Sequence, residues 1–123
     1  MTRKELDFTR ETPEHAGAGI VVYTLSGSLC GTSPSYELQE EIRKQIAGGV
    51  NKIVIDLARV DKVDSCGIGI LASVMWSASQ AGGRMVLASV PPYVEKLLGI
   101  VMLLDRIDHA DSREAAITIL EAL

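Results

Sequence analysis

The run NKIVIDL, residues 51–57, is short, rich in β-branched residues and apolar without a clean polar alternation. That is the pattern of a strand covered on both faces. A second such run, MVLASV, follows at residues 85–90. The segment between them, 66–80, reads as a helix. Two buried strands joined through a helix are the signature of a parallel pair, because a parallel connection needs a crossover of about a dozen residues or more.

The rest of the chain extends this pattern. ELDFTRE (5–11) alternates as an edge strand does, and GIVVYTLSG (19–27) is a stronger strand bounded by glycines. A helix follows, with Ser33 as candidate N-cap and Pro34 at the first helical position. Its Leu38, Ile42 and Ile46 recur every fourth residue, and Gly48 and Gly49 stop it. PPYVEKLLGIV starts another helix at its prolines, and LLDRID is a candidate last strand. DSREAAITILEAL is a closing helix in which Asp111 and Glu114 match a capping box. The first two strands have no helix between them. The fold class is therefore α/β, a mixed, mostly parallel sheet with helices packed against it.

At 123 residues the chain suits one domain, spanning 1–123. One Trp, three Tyr and one Phe leave the core to Ile, Leu, Val, Met and Ala. Sixteen acids against twelve bases give a net charge of −4 with no basic stripe, which argues against nucleic acid or an anionic membrane as partner. No apolar run is long enough to span a bilayer, and the start MTRKELDFTR lacks the apolar block of a secretory signal. Two cysteines, Cys30 and Cys66, fit neither a metal knuckle nor a disulfide framework. A cytoplasmic protein with reduced thiols is expected, with no metal and no cofactor.

The chemistry-bearing stretch is VDKVDSCGIGIL, residues 60–71. Gly67, Gly69 and Ala72 fit a dinucleotide fingerprint, but several residues separate Leu57 from Gly67, and MVLASV lacks the acid that would hold a ribose. Asp56 near a strand end suits a phospho-aspartate receiver, yet the accompanying acidic pair and final lysine are missing. Cys66 at a helix start could be a nucleophile, but its only candidate bases are His15 and His109 in distant polar segments. Ser65 stands where an N-cap belongs. A hydroxyl there is open to a kinase, and a phosphate on it would sit well against the helix dipole.

KIVIDLARVDKVDSCGIGIL…AGGRMVLASVPPYVEKLL…DSREAAITIL resembles the STAS domain of bacterial anti-sigma factor antagonists over nearly the whole chain. The most specific part is strand, Asp-Ser-x-Gly, helix, Gly-Gly, strand. The resemblance implies a phosphorylation-controlled binding module that has no catalysis of its own. Its partners would be an anti-sigma factor that is itself a serine kinase, and a serine phosphatase that resets the switch. The unphosphorylated form would bind the anti-sigma factor, free a sigma factor and so regulate transcription. By position, Ser65 matches the phospho-acceptor and Asp64 the aspartate before it. The family often has a second serine where Cys66 stands, and an acid near Cys30, in a loop beside the partner surface. Two other classes compete: a structural STAS subunit of a lipid-transport or stress-signalling assembly, with Ser65 only a cap, and a thiol-dependent enzyme using Cys66.

From Cys66 to Gly83 no residue is charged. At about 100° per residue, Ile70, Leu71, Val74, Met75 and Ala78 share a core face. Gly69, Ser73, Trp76, Ser77 and Gln80 lie opposite, where a solvated helix would carry Lys or Glu. Partner contact is expected at Asp64, Cys66 and Gly67 around the acceptor and at Gly69, Ser73 and Trp76 along the helix. Trp76 is either an exposed anchor or a side chain packed under a neighbouring helix.

Overall fold

The structure, a computed structural model, describes residues 5–13 and 19–122. The elements are β1 (Asp7–Glu11), β2 (Ile20–Leu29), α1 (Ser33–Ala47), β3 (Lys52–Val63), α2 (Ser65–Gln80), β4 (Arg84–Ala88), α3 (Pro92–Ile100), β5 (Asp108–Ala110) and α4 (Arg113–Glu121). The five strands lie side by side in chain order. β1 runs antiparallel to β2, and every later neighbour pair is parallel. The expected mixed, mostly parallel sheet with helices packed on it is the observed one.

Chain-order strands decide where the helices go. Each parallel connection steps one strand in the same direction, and right-handed crossovers then place α1, α2 and α3 on one face. Leu38 and Ile42 of α1, Leu71 and Val74 of α2, and Val94 and Leu98 of α3 accordingly share a core with Tyr23, Ile53, Ile55 and Leu87. α4 is not a crossover and closes the other face, where Ala116 and Leu120 meet Ile20, Val22, Val54 and Val86. Successive residues of β2, β3 and β4 thus enter different cores, which is why NKIVIDL shows no polar alternation. Each large aliphatic side chain fully buried in these layers contributes roughly 1.5–3 kcal/mol.

Three boundaries away from the start of α2 differ from the sequence reading. α1 starts at Ser33 with Thr32 as N-cap. Ser35, in the first turn of the helix, is buried, and its Oγ accepts the Cys30 N–H at 3.2 Å. α4 is capped by Ser112, which accepts the Ala115 N–H at 3.1 Å. Asp111 lies one residue too early for the capping box expected of it. LLDRID is not a strand: after Met102, at φ 61°, the Leu103 N–H turns back to the Leu98 carbonyl at 2.8 Å. The last strand is instead the three residues Asp108–Ala110.

Candidate functional site

β3 continues well past its neighbour. Its last pair with β4 is Asp56 with Ala88, yet the strand runs on to Val63 with only β2 beside it. Thr24 pairs with Asp56 but Ser26 with Arg59, and Gly27 with Val60 but Ser28 with Lys62. At each irregularity β3 holds one extra residue, which strengthens the local twist. Gly27 takes φ 89° at the second, a conformation open mainly to glycine. β1 ends opposite Ser26, so beyond the Ser26–Arg59 pair β2 and β3 form a two-stranded ribbon that reaches past the sheet, with Asp61 and Lys62 exposed along it and Arg59 exposed at its base.

The ribbon tip passes into α2 through a single residue, Asp64. The Asp64 N–H bonds the Leu29 carbonyl at 3.3 Å, which ties the helix start to the end of β2. Its carboxylate is the N-cap and accepts the Gly67 N–H at 2.9 Å. Ser65, expected to be the cap, is instead the first helical residue and is exposed. The Gly67 N–H holds the Asp64 carboxyl below the usual carboxylate range, helped by the Gly31 and Cys66 amides and the Cys30 thiol, against the cost of burial. Burial, then Asp64, pushes the Cys30 thiol up. Cys30 is buried and Cys66 exposed.

A side group on Gly31 would come within 2.9 Å of the Cys66 sulfur, so the loop after β2 lies directly on the first turn of α2. Tyr36 of α1 flanks the same turn with 46% of its surface exposed. Its phenol is raised by the neighbouring Cys66 and by burial. From the opposite side Tyr93 of α3 donates its hydroxyl to the Val60 carbonyl at 3.1 Å. Neither tyrosine was singled out from the sequence. The scarcity of aromatics, with each of these in the first turn of a helix, is the signal that could have found them.

The structure separates the expected partner-contact residues. Asp64, Ser65, Cys66 and Gly69 come together at the accessible start of α2. Gly67 does not belong with them. It is buried, and a Cβ there would lie 2.1 Å from the Leu29 carbonyl oxygen, so its work is to let α2 close on β2. Ser73 is half-buried and faces α1, accepting from Gln39 Nε2 at 3.0 Å and Arg43 Nη2 at 3.4 Å. Trp76 is 63% exposed and is not covered by a neighbouring helix. On the core side Ile70, Leu71, Val74 and Ala78 are buried and Met75 partly so.

The same geometry bears on the rejected chemistries. β3 reaches Val63, which shortens the gap before Gly67 to three residues but leaves that glycine inside α2 rather than against the strand end. The cradle fails for a second reason: the Gly67 N–H that a phosphate would need is taken by Asp64, and Leu29 fills the space beside the glycine. Asp56 is a structural anion, accepting the Ala58 N–H at 3.0 Å and the Arg113 guanidinium of α4 at 3.2 Å. His109 sits on edge strand β5, paired with Leu87, and His15 lies outside the described residues. No helix among the described residues is long and apolar enough to cross a membrane.

Residues 9–116 match the STAS domain family. Over 98 residues the chain is 30% identical to BtrV of Bordetella bronchiseptica, which carries the name anti-sigma factor antagonist, covering 80% of this chain and 84% of that one. An anti-sigma factor antagonist from Mycobacterium paratuberculosis has the same fold, with a TM-score of 0.79 at 20% identity over 94% of each chain. So has the Bacillus antagonist SpoIIAA. Its unphosphorylated form matches with a TM-score of 0.76 at 22% identity, over 95% of this chain and 100% of that one. Its phosphorylated form matches at 0.65 and 24%, over 92% and 99%.

Proposed function

The chain belongs to the STAS domain family of anti-sigma factor antagonists, and from that premise we propose that it binds an anti-sigma factor through the start of α2 and lets go when Ser65 is phosphorylated. The anti-sigma factor is the serine kinase in this reading, a serine phosphatase restores the hydroxyl, and the exchange takes place in the cytoplasm. The chain is a substrate of the phosphoryl transfer and contributes no catalytic group. Transfer makes a bond from the Ser65 Oγ to the γ-phosphorus of ATP, with ADP leaving and the hydroxyl proton passing to the kinase.

One observation carries this reading: Ser65 is the exposed first residue of α2, and the aspartate before it has its carboxylate fixed on the Gly67 N–H. The hydroxyl is therefore presented on a rigid turn rather than on a loose loop. Gly69 adds support. A glycine inside a helix costs about 0.8–1 kcal/mol relative to alanine. Here a Cβ would meet nothing within 4 Å, so nothing among the described residues calls for the glycine. A partner whose backbone comes close to the helix would.

The test is to incubate the chain with its cognate anti-sigma factor and ATP, then map the product by mass spectrometry. Phosphate on Ser65, absent from Ser65→Ala, is the expected result. Phosphate on Thr32, Ser33 or Ser73 with Ser65 empty overturns the assignment.

A further inference from the structure

Eleven residues beyond Ser65, or about 16 Å along the axis of α2, the chain's single tryptophan stands in water. Trp76, Met75 and Ser79 of α2 form one wall of a cavity of about 360 Å³, and Arg84, Arg106 and Asp108 are the charged residues among its other lining. The charges here do not cancel. Arg84 makes a bidentate pair with Asp108, at 2.5 and 2.8 Å. Arg106 has no ion-pair partner among the described residues, and α2 supplies none, being uncharged from Ser65 to Gln80. On the other flank Ser73 is already bonded to Gln39 and Arg43, so the helix is closed on the α1 side and open on the Arg106 side.

Resting on the function proposed above, we infer that the docking surface for the anti-sigma factor continues from Ser65 past Gly69 to a second anchor at Trp76. There the partner inserts an apolar side chain against the indole and sets a neighbouring carboxylate on Arg106. Two features favour this occupant. The stripe Ser65, Gly69, Ala72, Trp76 lies within about 60° around the helix, so it is one continuous face that begins at the acceptor. Its far end pairs an exposed aromatic with a free cation, the residue types that dominate interface energetics. The reach is ordinary: a partner footprint of about 800 Å² is roughly 30 Å across and covers both ends of a 16 Å stripe.

The experiment compares the chain with Trp76→Ala, Arg106→Glu and Ser65→Asp in calorimetric titrations with the cognate anti-sigma factor. The indole N–H resonance of isotope-labelled chain is followed in parallel. Both anchor residues are surface side chains, and unchanged melting temperatures establish that the variants fold. Trp76→Ala should weaken binding at least tenfold, about 1.4 kcal/mol. Arg106→Glu should weaken it and flatten its salt dependence, and the indole resonance should shift on complex formation. If Ser65→Asp weakens binding while Trp76→Ala and Arg106→Glu bind as the parent does, the second anchor is wrong and the function stands. If the unmodified chain does not bind the anti-sigma factor, both fall. A parent chain that self-associates through Trp76 in sedimentation, with partner affinity unaffected by its loss, assigns the face to a second copy and overturns the anchor.

Discussion

The Asp64 carboxylate accepts the Gly67 N–H at 2.9 Å, and this one bond sets both the start of α2 and the posture of Ser65. An N-terminal turn with free N–H groups attracts anions. In this chain the seat is already taken by a carboxylate from the chain itself. The Gly67 N–H holds Asp64 below its usual pKa, so its contribution to stability is complete above about pH 4. It is lost as pH falls through the depressed folded value, because protonation removes the charge that the folded state prefers.

Asp64→Ala should therefore lower stability by about 1 kcal/mol at pH 7, the usual loss for a removed N-cap. Asp64→Asn keeps an acceptor and should lose less. Chemical denaturation of both at pH 7 and pH 3 checks this. The advantage of the parent over Asp64→Asn should shrink at pH 3, and an advantage that grew on acidification would contradict the cap.

Gly67→Ala probes the closure of α2 on β2. A Cβ at 2.1 Å from the Leu29 carbonyl oxygen meets backbone that cannot swing aside. The first turn of the helix has to lift, and overpacking of this kind typically costs 1–3 kcal/mol. Denaturation midpoints should fall accordingly. Amide shift changes should centre on Leu29, Asp64 and the first turn of α2, leaving β4 and α4 near their parent positions.

How much of this was legible follows from which neighbours a residue has. The layered sheet was readable because Ile53 to Leu57 and Met85 to Ala88 are covered on both faces, and their composition says so. The last stretch of β3, ending at Val63, was not. It has no β4 beside it, ends in a two-stranded ribbon, exposes Arg59, Asp61 and Lys62, and holds two extra residues that break the period of two. Asp64 and Ser65 are both good caps by type, and a tertiary bond from the Asp64 N–H to Leu29 fixes which one serves. Gly67 and Gly69 look alike in the sequence, but they lie about 200° apart around the helix. One is pressed on β2 and the other faces open space. Trp76 is exposed beside Arg84 and Arg106, residues far from it along the chain, so no local pattern records its surroundings.

Gly69→Ala gives two effects of opposite sign. With nothing within 4 Å of the added methyl group, the fold should gain about 0.8–1 kcal/mol from helix propensity. A partner that approaches the bare helix there should bind more weakly, by at least severalfold. Thermal melts and a titration with the anti-sigma factor read the two separately. A more stable variant with undiminished affinity would mean that the partner does not approach the helix at Gly69.

Phosphorylation of Ser65 should act on the contact and not on the fold. The phosphate brings about −1.5 to −2 charges to a helix start, where the dipole favours them. It arrives beside Asp64, which already holds the Gly67 N–H, and close in sequence to exposed Asp61. The dipole's attraction and the carboxylates' repulsion oppose each other, so the net change in stability should be small. A partner that covers Ser65 must strip water from a dianion on an uncharged helix face, and α2 itself offers no cation in return. Phosphorylated chain should therefore bind the anti-sigma factor at least tenfold more weakly, about 1.4 kcal/mol. Ser65→Asp should reproduce part of that loss, and Ser65→Ala should bind constitutively. Amide shifts should change around residues 60–69 and little elsewhere. Changes running through β2, β3 and β4 would instead mean that the switch remodels the sheet.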